Sequence, residues 1–413
     1  MSLKLLQRIF GTGKRIDRSL YRNQYLTMTN MHSSTNTFTI TIGASVSTTY
    51  VPSISYSRNN GVTWTKTDNI NNQEVIITIS DVPVNGKVLL KGPIRATRNT
   101  RTNEAPYMTI ISATAYFSIS GNLMSLFYGD NFYNKIAFPT NDTGRAAGLF
   151  WHSTTIRDAS NLILPVTNTV ANGNIANAAT YERMFDNCSN LLYPPADIAA
   201  RYVGPLDFSY TFSMCTSMLS FPTLHIVTLS TNIGSVCMCM FYHCINAVNN
   251  VPTSLPNNGR LGFRAYYGMF QNCRKITTVP RLNVTQTNGS QVMANMFNGC
   301  LALTDASNIT INYSPASANQ KMCESMFQDC TNLVHGPTIN RATLNVEEFK
   351  NMFSGCTKLE DVHIYFNNIS ASNCINNWLY NVNSTGTIYH HGSATLPTGS
   401  ASGVPSGWTV VNV

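Results

Sequence analysis

One short pattern recurs from residue 184 onward and limits what the chain can fold into. Six segments share a Phe followed three residues later by a Cys: MFDNC (184–188), MFYHC (240–244), MFQNC (269–273), MFNGC (296–300), MFQDC (326–330) and MFSGC (352–356). With FSMC (212–215) included, successive Phe residues are 26 to 30 residues apart. A repeat of this length predicts a solenoid, because each unit is too small to bury its apolar face alone and packs against its neighbours.

The apolar residues around each Phe predict a helix. An apolar residue stands four positions before the Phe, a Met directly before it in six of the seven repeats, and the Cys three positions after it. This is the i, i+3, i+4, i+7 stripe of a two-turn helix. A Pro often follows and prevents the helix from continuing, and segments such as LHIVTL (224–229) then supply a strand. The repeats therefore predict alternating helices and strands.

The repeated Cys residues raise the question of a metal or disulfide framework. Zinc ligands must converge to about 2.3 Å from one ion, and the sequence has no CxxC pair. A disulfide needs Cα atoms within about 7 Å, whereas neighbouring helices pack about 8–10 Å apart. We therefore interpret the repeated Cys as a small buried apolar residue, and we expect neither a metal nor a cofactor.

The residues before the repeats change to a period of two. TFTITI (37–42) and EVIITI (74–79) alternate as short strands do. We predict an α+β protein: an arm at 1–30, a small antiparallel β-sandwich at 31–125, degenerate first repeats at 126–180, the solenoid at 181–365 and a C-terminal cap at 366–413. LFWHS (149–153) carries Ser in place of Cys within the degenerate part.

Basic residues are concentrated in the arm. Residues 1–22 carry six basic side chains and one acidic one, so +5 of the formal charge of +8 lies there and +3 in the remainder. This distribution speaks against a wide nucleic-acid-binding surface. MSLKLLQRIF (1–10) lacks the uninterrupted apolar stretch of a secretory signal, so we expect no export signal. We predict that the arm docks onto a partner, with anionic lipid as the alternative to a protein socket, through Leu5, Leu6, Ile9, Phe10, Lys14, Arg15, Arg18 and Arg22.

The pattern M-F-x-x-C-x-x-L with a downstream Pro resembles the BspA-like bacterial leucine-rich repeats over roughly residues 180–380. Such repeats occur in surface proteins of gut and oral bacteria and in tail or fibre proteins of phages infecting Bacteroidales. The resemblance implies a virion structural protein at the virion surface, bound to other virion proteins through its arm and to a host glycan or outer-membrane protein through its solenoid. A secreted bacterial adhesin at the cell surface is the alternative. A homotrimer stays open, since fibres are commonly trimeric but the repeats contain no coiled coil.

No catalytic motif stands in a suitable context, and the 19 acidic residues are scattered. We therefore predict that the protein is not an enzyme, with a glycan-degrading enzyme as the least favoured hypothesis. His390 and His391 are predicted to lie in a solvated loop.

Aromatic residues outside the apolar stripe are the candidate ligand contacts, because rigid amphipathic rings suit sugars and protein partners: Tyr193, Phe221, Tyr242, Tyr267, Tyr313 and Tyr365.

Overall fold

Strands make up most of the regular structure of this protein. A computed structural model describes residues 22–43, 52–69, 73–94, 109–135, 138–139, 146–165, 170–171, 174–175, 179–229, 234–255, 261–315, 320–399 and 402–413. Helical elements in these ranges are short, such as α1 (Ser125–Tyr128) and a 3₁₀ helix (Gly129–Asn131). The strands are β1 (Leu26–Asn30), β2 (Asn36–Ile42), β3 (Ser53–Ser57), β4 (Thr65–Asp68), β5 (Val75–Val82), β6 (Lys87–Lys91), β7 (Ile110–Ala113), β8 (Phe117–Asn122), β9 (Ile156–Asp158), β10 (Leu162–Ile163), β11 (Val170–Ala171), β12 (Asn174–Ile175), β13 (Asp197–Val203), β14 (Thr223–Leu229), β15 (Asn283–Thr287), β16 (Thr310–Pro315), β17 (His335–Ile339), β18 (Asp361–Ile364), β19 (Gly386–His390) and β20 (Trp408–Asn412).

Two sheets form the N-terminal part of the fold. The larger has the strand order β10-β8-β1-β6-β3-β4, with β9 also paired to β8, and the smaller has the order β5-β2-β7. The period-two pattern of β2 buries Phe38, Ile40 and Ile42 on one face. The ring of Phe38 lies 6.0 Å from that of Phe117 in the larger sheet. The two sheets therefore enclose a shared apolar core.

Strand β1 occupies an interior position of the larger sheet, between β8 and β6. The sequence predicts an arm that extends to residue 30, but the presence of β1 shows that the arm ends before Leu26. Leu26 and Met28 of β1 are fully buried. Residues 26–30 are therefore part of the core rather than of an attachment segment.

The larger sheet continues into the solenoid. Strand β9 pairs with β8 in parallel, and Asp158 at the end of β9 forms a parallel bridge to Tyr193 in the next coil. The Ile111 N–H of β7 donates to the Leu149 carbonyl at 2.7 Å. The first coil is thus hydrogen-bonded to both N-terminal sheets, which cover that end of the solenoid.

The solenoid predicted for residues 181–365 is present and makes about seven turns over residues 197–412. Strands β19 and β20 lie in the segment predicted as a C-terminal cap (366–413) and continue the same sheet, so the solenoid extends beyond residue 365. Its strands pair in parallel as β13–β14 and as the continuous six-stranded sheet β15-β16-β17-β18-β19-β20. Parallel pairing follows from the coil geometry, because each coil runs in the same direction as the one before.

The predicted helices are wrong. The ten residues from six before each Phe to three after it form a series of turns, which we call the turn ribbon; 179–188 are its residues in the coil of Phe185. Ala179, Arg183 and Asn187 have φ values of 62°, 55° and 60°, and the same three positions have positive φ in the later coils. A right-handed helix excludes such residues, because each left-handed residue costs about 1–2 kcal/mol unless local contacts offset it. The fold is therefore mostly strand and turn rather than α+β.

Sideways hydrogen bonds explain why the ribbon replaces a helix. The Phe185 N–H donates to the Thr211 carbonyl of the next coil at 2.8 Å, whereas the Cys188 N–H donates to the Phe185 carbonyl of its own coil at 3.1 Å. Donors alternate in this way along the ribbon. Half of the backbone groups of each ribbon therefore pair between coils, which an α-helix with its internal bonding cannot do.

A column of stacked Phe rings runs along the solenoid axis. Its seven successive pairs have centroid distances of 5.0 to 5.8 Å and interplanar angles of 4° to 23°. The column begins at Phe150 and ends at Phe353, whose ring meets Trp378 at 6.3 Å and 57°. Each stacked pair contributes about 0.5–1.5 kcal/mol beyond the burial of its area.

The repeated Cys residues form a second column beside the rings. All eleven cysteines are buried, which confirms the burial predicted for the repeated ones. Seven thiols each donate to the carbonyl of the Phe in the preceding coil, at 2.9 to 3.2 Å. Burial raises the pKa of the Cys330 thiol to about 12, so this thiol stays protonated and able to donate.

We expect Cys300→Ala to lower the free energy of unfolding by about 1–3 kcal/mol, because it leaves a cavity and removes the thiol donor to Phe270. Denaturant unfolding measures this change. Cys300→Ser is the matched variant, since it keeps a donor while shortening the side chain, and it should cost less than Ala. Equal losses in both variants would show that the thiol acts through its volume alone.

Candidate functional site

The outer face of the six-stranded sheet β15–β20 carries the most distinctive set of exposed side chains on the solenoid. Residues alternate along each strand, so Ile311, Ile339 and Ile364 point into the core. Their neighbours point outward, and because the strands are in parallel register, outward side chains of adjacent coils stand side by side.

Four of these outward side chains form an aromatic wall, defined by His363, Tyr365, Tyr389 and His391. His363 is registered with Tyr389 on the next strand, and their rings stack at 4.6 Å and 14°. Tyr365 stacks on His391 at 4.4 Å and 12°. The wall is therefore two rings long and two rings thick, and each of its four members is partly exposed.

A contact across the diagonal joins the two stacks. His363 Nδ1 lies 3.5 Å from His391 Nε2, whereas the ring centroids are 5.8 Å apart. The two nitrogens therefore face each other, and a long N–H to N hydrogen bond is possible when one ring nitrogen carries the proton. This contact holds the rings of both stacks in one plane-parallel arrangement.

A polar lane runs along one side of the wall and consists of Thr310, Asn312, Thr338 and Asn340. Thr310 is registered with Thr338, which is registered with His363. Within the described ranges, these four side chains form no hydrogen bond with the rest of the protein. The lane is two strands wide, about 10 Å, and the rings of His363 and Tyr365 rise beside it.

An ion pair lies next to this surface. His335 Nδ1 is 2.6 Å from Asp361 Oδ2, and the hydrogen bond to Asp361 raises the pKa of His335 above its ordinary value. The His335 side chain is half exposed, so solvent screens the interaction and its contribution to stability is small.

The six predicted ligand contacts do not form one site. Tyr365 belongs to the aromatic wall. Tyr193 is 45% exposed but lies near the first coil, beside Asp158. Tyr242 and Tyr267 are partly exposed on the turn ribbons of adjacent coils, and the Arg264 guanidinium lies 5.0 Å from the Tyr267 ring.

Phe221 and Tyr313 are core residues, and their burial removes them as ligand contacts. Phe221 is 1% exposed and packs edge-on against Phe241 and Phe270. Tyr313 is 2% exposed because it lies on the inward face of β16. Position outside the apolar stripe of the ribbon was the wrong criterion, since the strands that follow the ribbon contribute to the same core.

Tyr313 takes part in a buried polar cluster. Its hydroxyl donates to Glu348 Oε1, which also accepts from Arg341 Nε at 2.8 Å. Arg341 donates further to the Tyr313 carbonyl at 2.7 Å and the Thr343 carbonyl at 3.0 Å. Burial and the neighbouring Glu348 raise the pKa of Tyr313 well above its ordinary value. The cluster fills a position that is apolar in several other coils, and it has no solvent access for a ligand.

Tyr389 and His391 are functional candidates that the sequence reasoning missed. The prediction of a solvated loop at His390 and His391 is wrong, because His390 ends β19, is 4% exposed and contacts the Phe366 carbonyl at 3.0 Å. The available signal was the alternation in GTIYHH (386–391), which places Tyr389 and His391 on one face.

The predicted attachment residues from Leu5 to Arg18 lie outside the described residues. Arg22 is described and is partly buried. Its carbonyl accepts a hydrogen bond from Asn122 Nδ2 at 3.0 Å, which ties the chain to the end of β8 just before β1 begins.

Nowhere in the described part do three or more His, Cys, Asp or Glu side chains gather as a metal site requires. None of the helices in those ranges is long and apolar enough to span a membrane. The aromatic wall and the polar lane offer ring faces, hydroxyls and amides to a ligand.

Comparison of the chain with protein-family models, with curated proteins and with solved structures gave no match.

We expect Glu348→Ala to lower the free energy of unfolding by about 3–5 kcal/mol, because it leaves the Arg341 guanidinium buried without its carboxylate. Glu347→Ala is the matched control, since its carboxylate pairs with Lys321 and Lys350 at the surface and should cost less than about 1 kcal/mol. Urea unfolding of both variants measures the difference. Similar losses in the two would contradict the importance of the buried cluster.

Proposed function

We propose that the protein is a non-enzymatic structural protein of a phage virion, a tail or head fibre or decoration protein, and that the outer face of its solenoid binds glycans on the host cell surface. The observation that supports this most directly is the aromatic wall standing beside the polar lane. The resemblance of the M-F-x-x-C-x-x-L repeats to BspA-like repeats supports the virion assignment, because such repeats occur in fibre proteins of phages infecting Bacteroidales.

The chemistry of the face favours a glycan over a protein as the ligand. A sugar ring has an apolar C–H face and a rim of hydroxyls, so it can contact the ring face of Tyr365 while its hydroxyls bond to Thr338 and Asn340. The centre of a protein–protein interface is usually more apolar than this lane. A row of similar polar positions on successive strands also suits a linear chain of repeating sugars.

The repeat scaffold suits this role physically. The coils that contribute β15 to β20 present equivalent outward strand positions, so side chains there can change without disturbing the Phe and Cys columns that hold the coils together. The binding face lies on the six-stranded sheet, at the far end of the chain from the predicted docking arm. Attachment at one end and recognition at the other is the arrangement that a fibre requires.

We expect Tyr365→Ala and Tyr389→Ala each to weaken binding of the labelled protein to host cells by about tenfold or more, because both remove ring area from the wall. The matched control is Tyr380→Ala, whose side chain is 57% exposed on the turn ribbon away from this face. Flow cytometry with host cells measures the binding, and soluble host surface polysaccharide should compete. Unchanged binding in both wall variants would overturn the assignment of this face.

Residues 2–21 precede the first described strand, so a deletion of these residues removes no strand residue. We expect the truncated protein to fold with an unchanged melting temperature and to be lost from the particle, because the arm contains the apolar and basic side chains that fit a protein socket. Complementation of a phage mutant lacking the protein, followed by mass spectrometry of purified particles, measures incorporation. Incorporation at normal copy number would place attachment elsewhere in the chain.

A further inference from the structure

A second concave surface lies where the larger N-terminal sheet meets the first coil, and we call it the junction groove. Strands β1, β6 and β8 form its floor, residues 23–25 and the β3–β4 connection border it, and Asp158 and Asn161 close the side toward the solenoid. Its volume is about 680 Å³, within the range of roughly 300–1,000 Å³ found for small-ligand sites.

The floor of the junction groove presents unused hydrogen-bonding groups. Outward side chains of neighbouring strands bring together Thr29, Lys87, Ser118 and Ser120. In the ranges that the structure covers, none of these four side chains has an intramolecular hydrogen bond or ion pair. Three hydroxyls and one ammonium group therefore converge on the same space, where they can form hydrogen bonds with a ligand.

The charge and polarity of the groove select the class of ligand. Its apolar lining residues, Leu89 and Ile119, are 8% and 1% exposed, so little apolar surface is offered. Lys87 and Asp158 place one charge of each sign on the lining, and Asp158 Oδ1 already accepts from the Ser160 N–H at 2.8 Å. An apolar ligand would leave the hydroxyls unpaired, and the balanced charge gives no strong preference for an anion. A neutral ligand with many hydroxyls satisfies these groups best.

The walls of the groove are held in place before any ligand binds. The Tyr25 hydroxyl donates to Asp130 Oδ1 at 2.6 Å, and its ring packs on Trp64 at 4.9 Å and on Phe132 at 5.1 Å. The Asn122 N–H donates to the Gln24 carbonyl at 2.9 Å, which fixes the segment before β1. A rigid site loses little conformational entropy on binding.

We propose that the junction groove is a binding site for neutral oligosaccharides, separate from the outer face of the solenoid. Thr29, Ser118 and Ser120 bond to sugar hydroxyls along the floor, and Lys87 donates to a hydroxyl or ring oxygen at one edge. A sugar chain bound here would run across three adjacent strands of the larger sheet.

The test is binding of the full-length protein to an array of short linear oligosaccharides, one set neutral and one set containing uronic acids. We expect at least one neutral oligosaccharide to bind. Ser118→Trp, which fills the groove, should abolish that binding, and Lys87→Ala should weaken it about tenfold through loss of one hydrogen bond from a charged donor. Thr78→Ala, exposed on β5 of the other sheet, and Tyr380→Ala, exposed on a turn ribbon of the solenoid, should leave it unchanged.

Circular dichroism and thermal melting establish that each variant is folded. If Ser118→Trp does not fold, the binding of Lys87→Ala tests whether the groove holds the oligosaccharide. The proposal is overturned by absence of neutral-oligosaccharide binding, by binding of the acidic set alone, or by binding that persists in a folded groove variant. Loss in Tyr389→Ala with retention in Lys87→Ala would assign the sugar to the solenoid face instead. Failure of the groove therefore leaves the solenoid proposal standing, and the reverse also holds.

Discussion

From the coil of Phe185 to that of Phe353, each coil stacks one Phe ring on the ring of the coil before it, and the Cys beside that ring donates a thiol hydrogen bond to the Phe carbonyl of the preceding coil. The carbonyl of Phe270 accepts both the Cys273 N–H of its own coil and the Cys300 thiol of the next. One carbonyl oxygen thus accepts a hydrogen bond that closes the turn within its coil and a second that joins it to the next coil. A larger residue than Cys would force the ribbons apart, and Ala would lose the donor and leave a cavity, so the stacking of the coils depends on the residue at this position.

The repeat and its apolar residues were predictable from the sequence, but the backbone that carries them was not. Apolar residues at i, i+3, i+4 and i+7 fit a helix and also fit successive four-residue turns, so the pattern cannot separate the two. The information that could have done so is the residue before the Cys. It is Asn187, Asn272, Gly299, Asp329 or Gly355 in five of seven repeats, and Asn, Asp and Gly are the residues that adopt a left-handed backbone at least cost. Sideways pairing between coils then stabilises the ribbon, and such pairing is a property of the assembled solenoid.

The candidate ligand contacts were only partly predictable, because the face on which a strand residue lies depends on whether its position in the strand is odd or even. In a strand, one step along the chain changes a side chain from the core to the surface. Tyr313 is the fourth residue counted from the start of β16 and is bonded to Glu348 in the core, whereas Tyr365 is the fifth counted from the start of β18 and stands in the aromatic wall. Strand bounds accurate to a single residue are needed to tell them apart. The stacking of Tyr389 on His363 also depends on register between coils, which varies with the length of each repeat.

The position of the aromatic wall follows from where the sheet is continuous. In the described part of the solenoid, β13 and β14 form a two-stranded sheet, whereas β15 to β20 pair without interruption. Parallel strands that pair in register, such as β18 and β19, hold outward side chains of adjacent coils about 5 Å apart, at the distance where rings stack. The Phe and Cys columns that fix the spacing between coils inside the solenoid also determine the spacing of the rings on its surface. The inner core therefore sets the geometry of the proposed binding face, and the outward residues determine which ligand groups that face can contact.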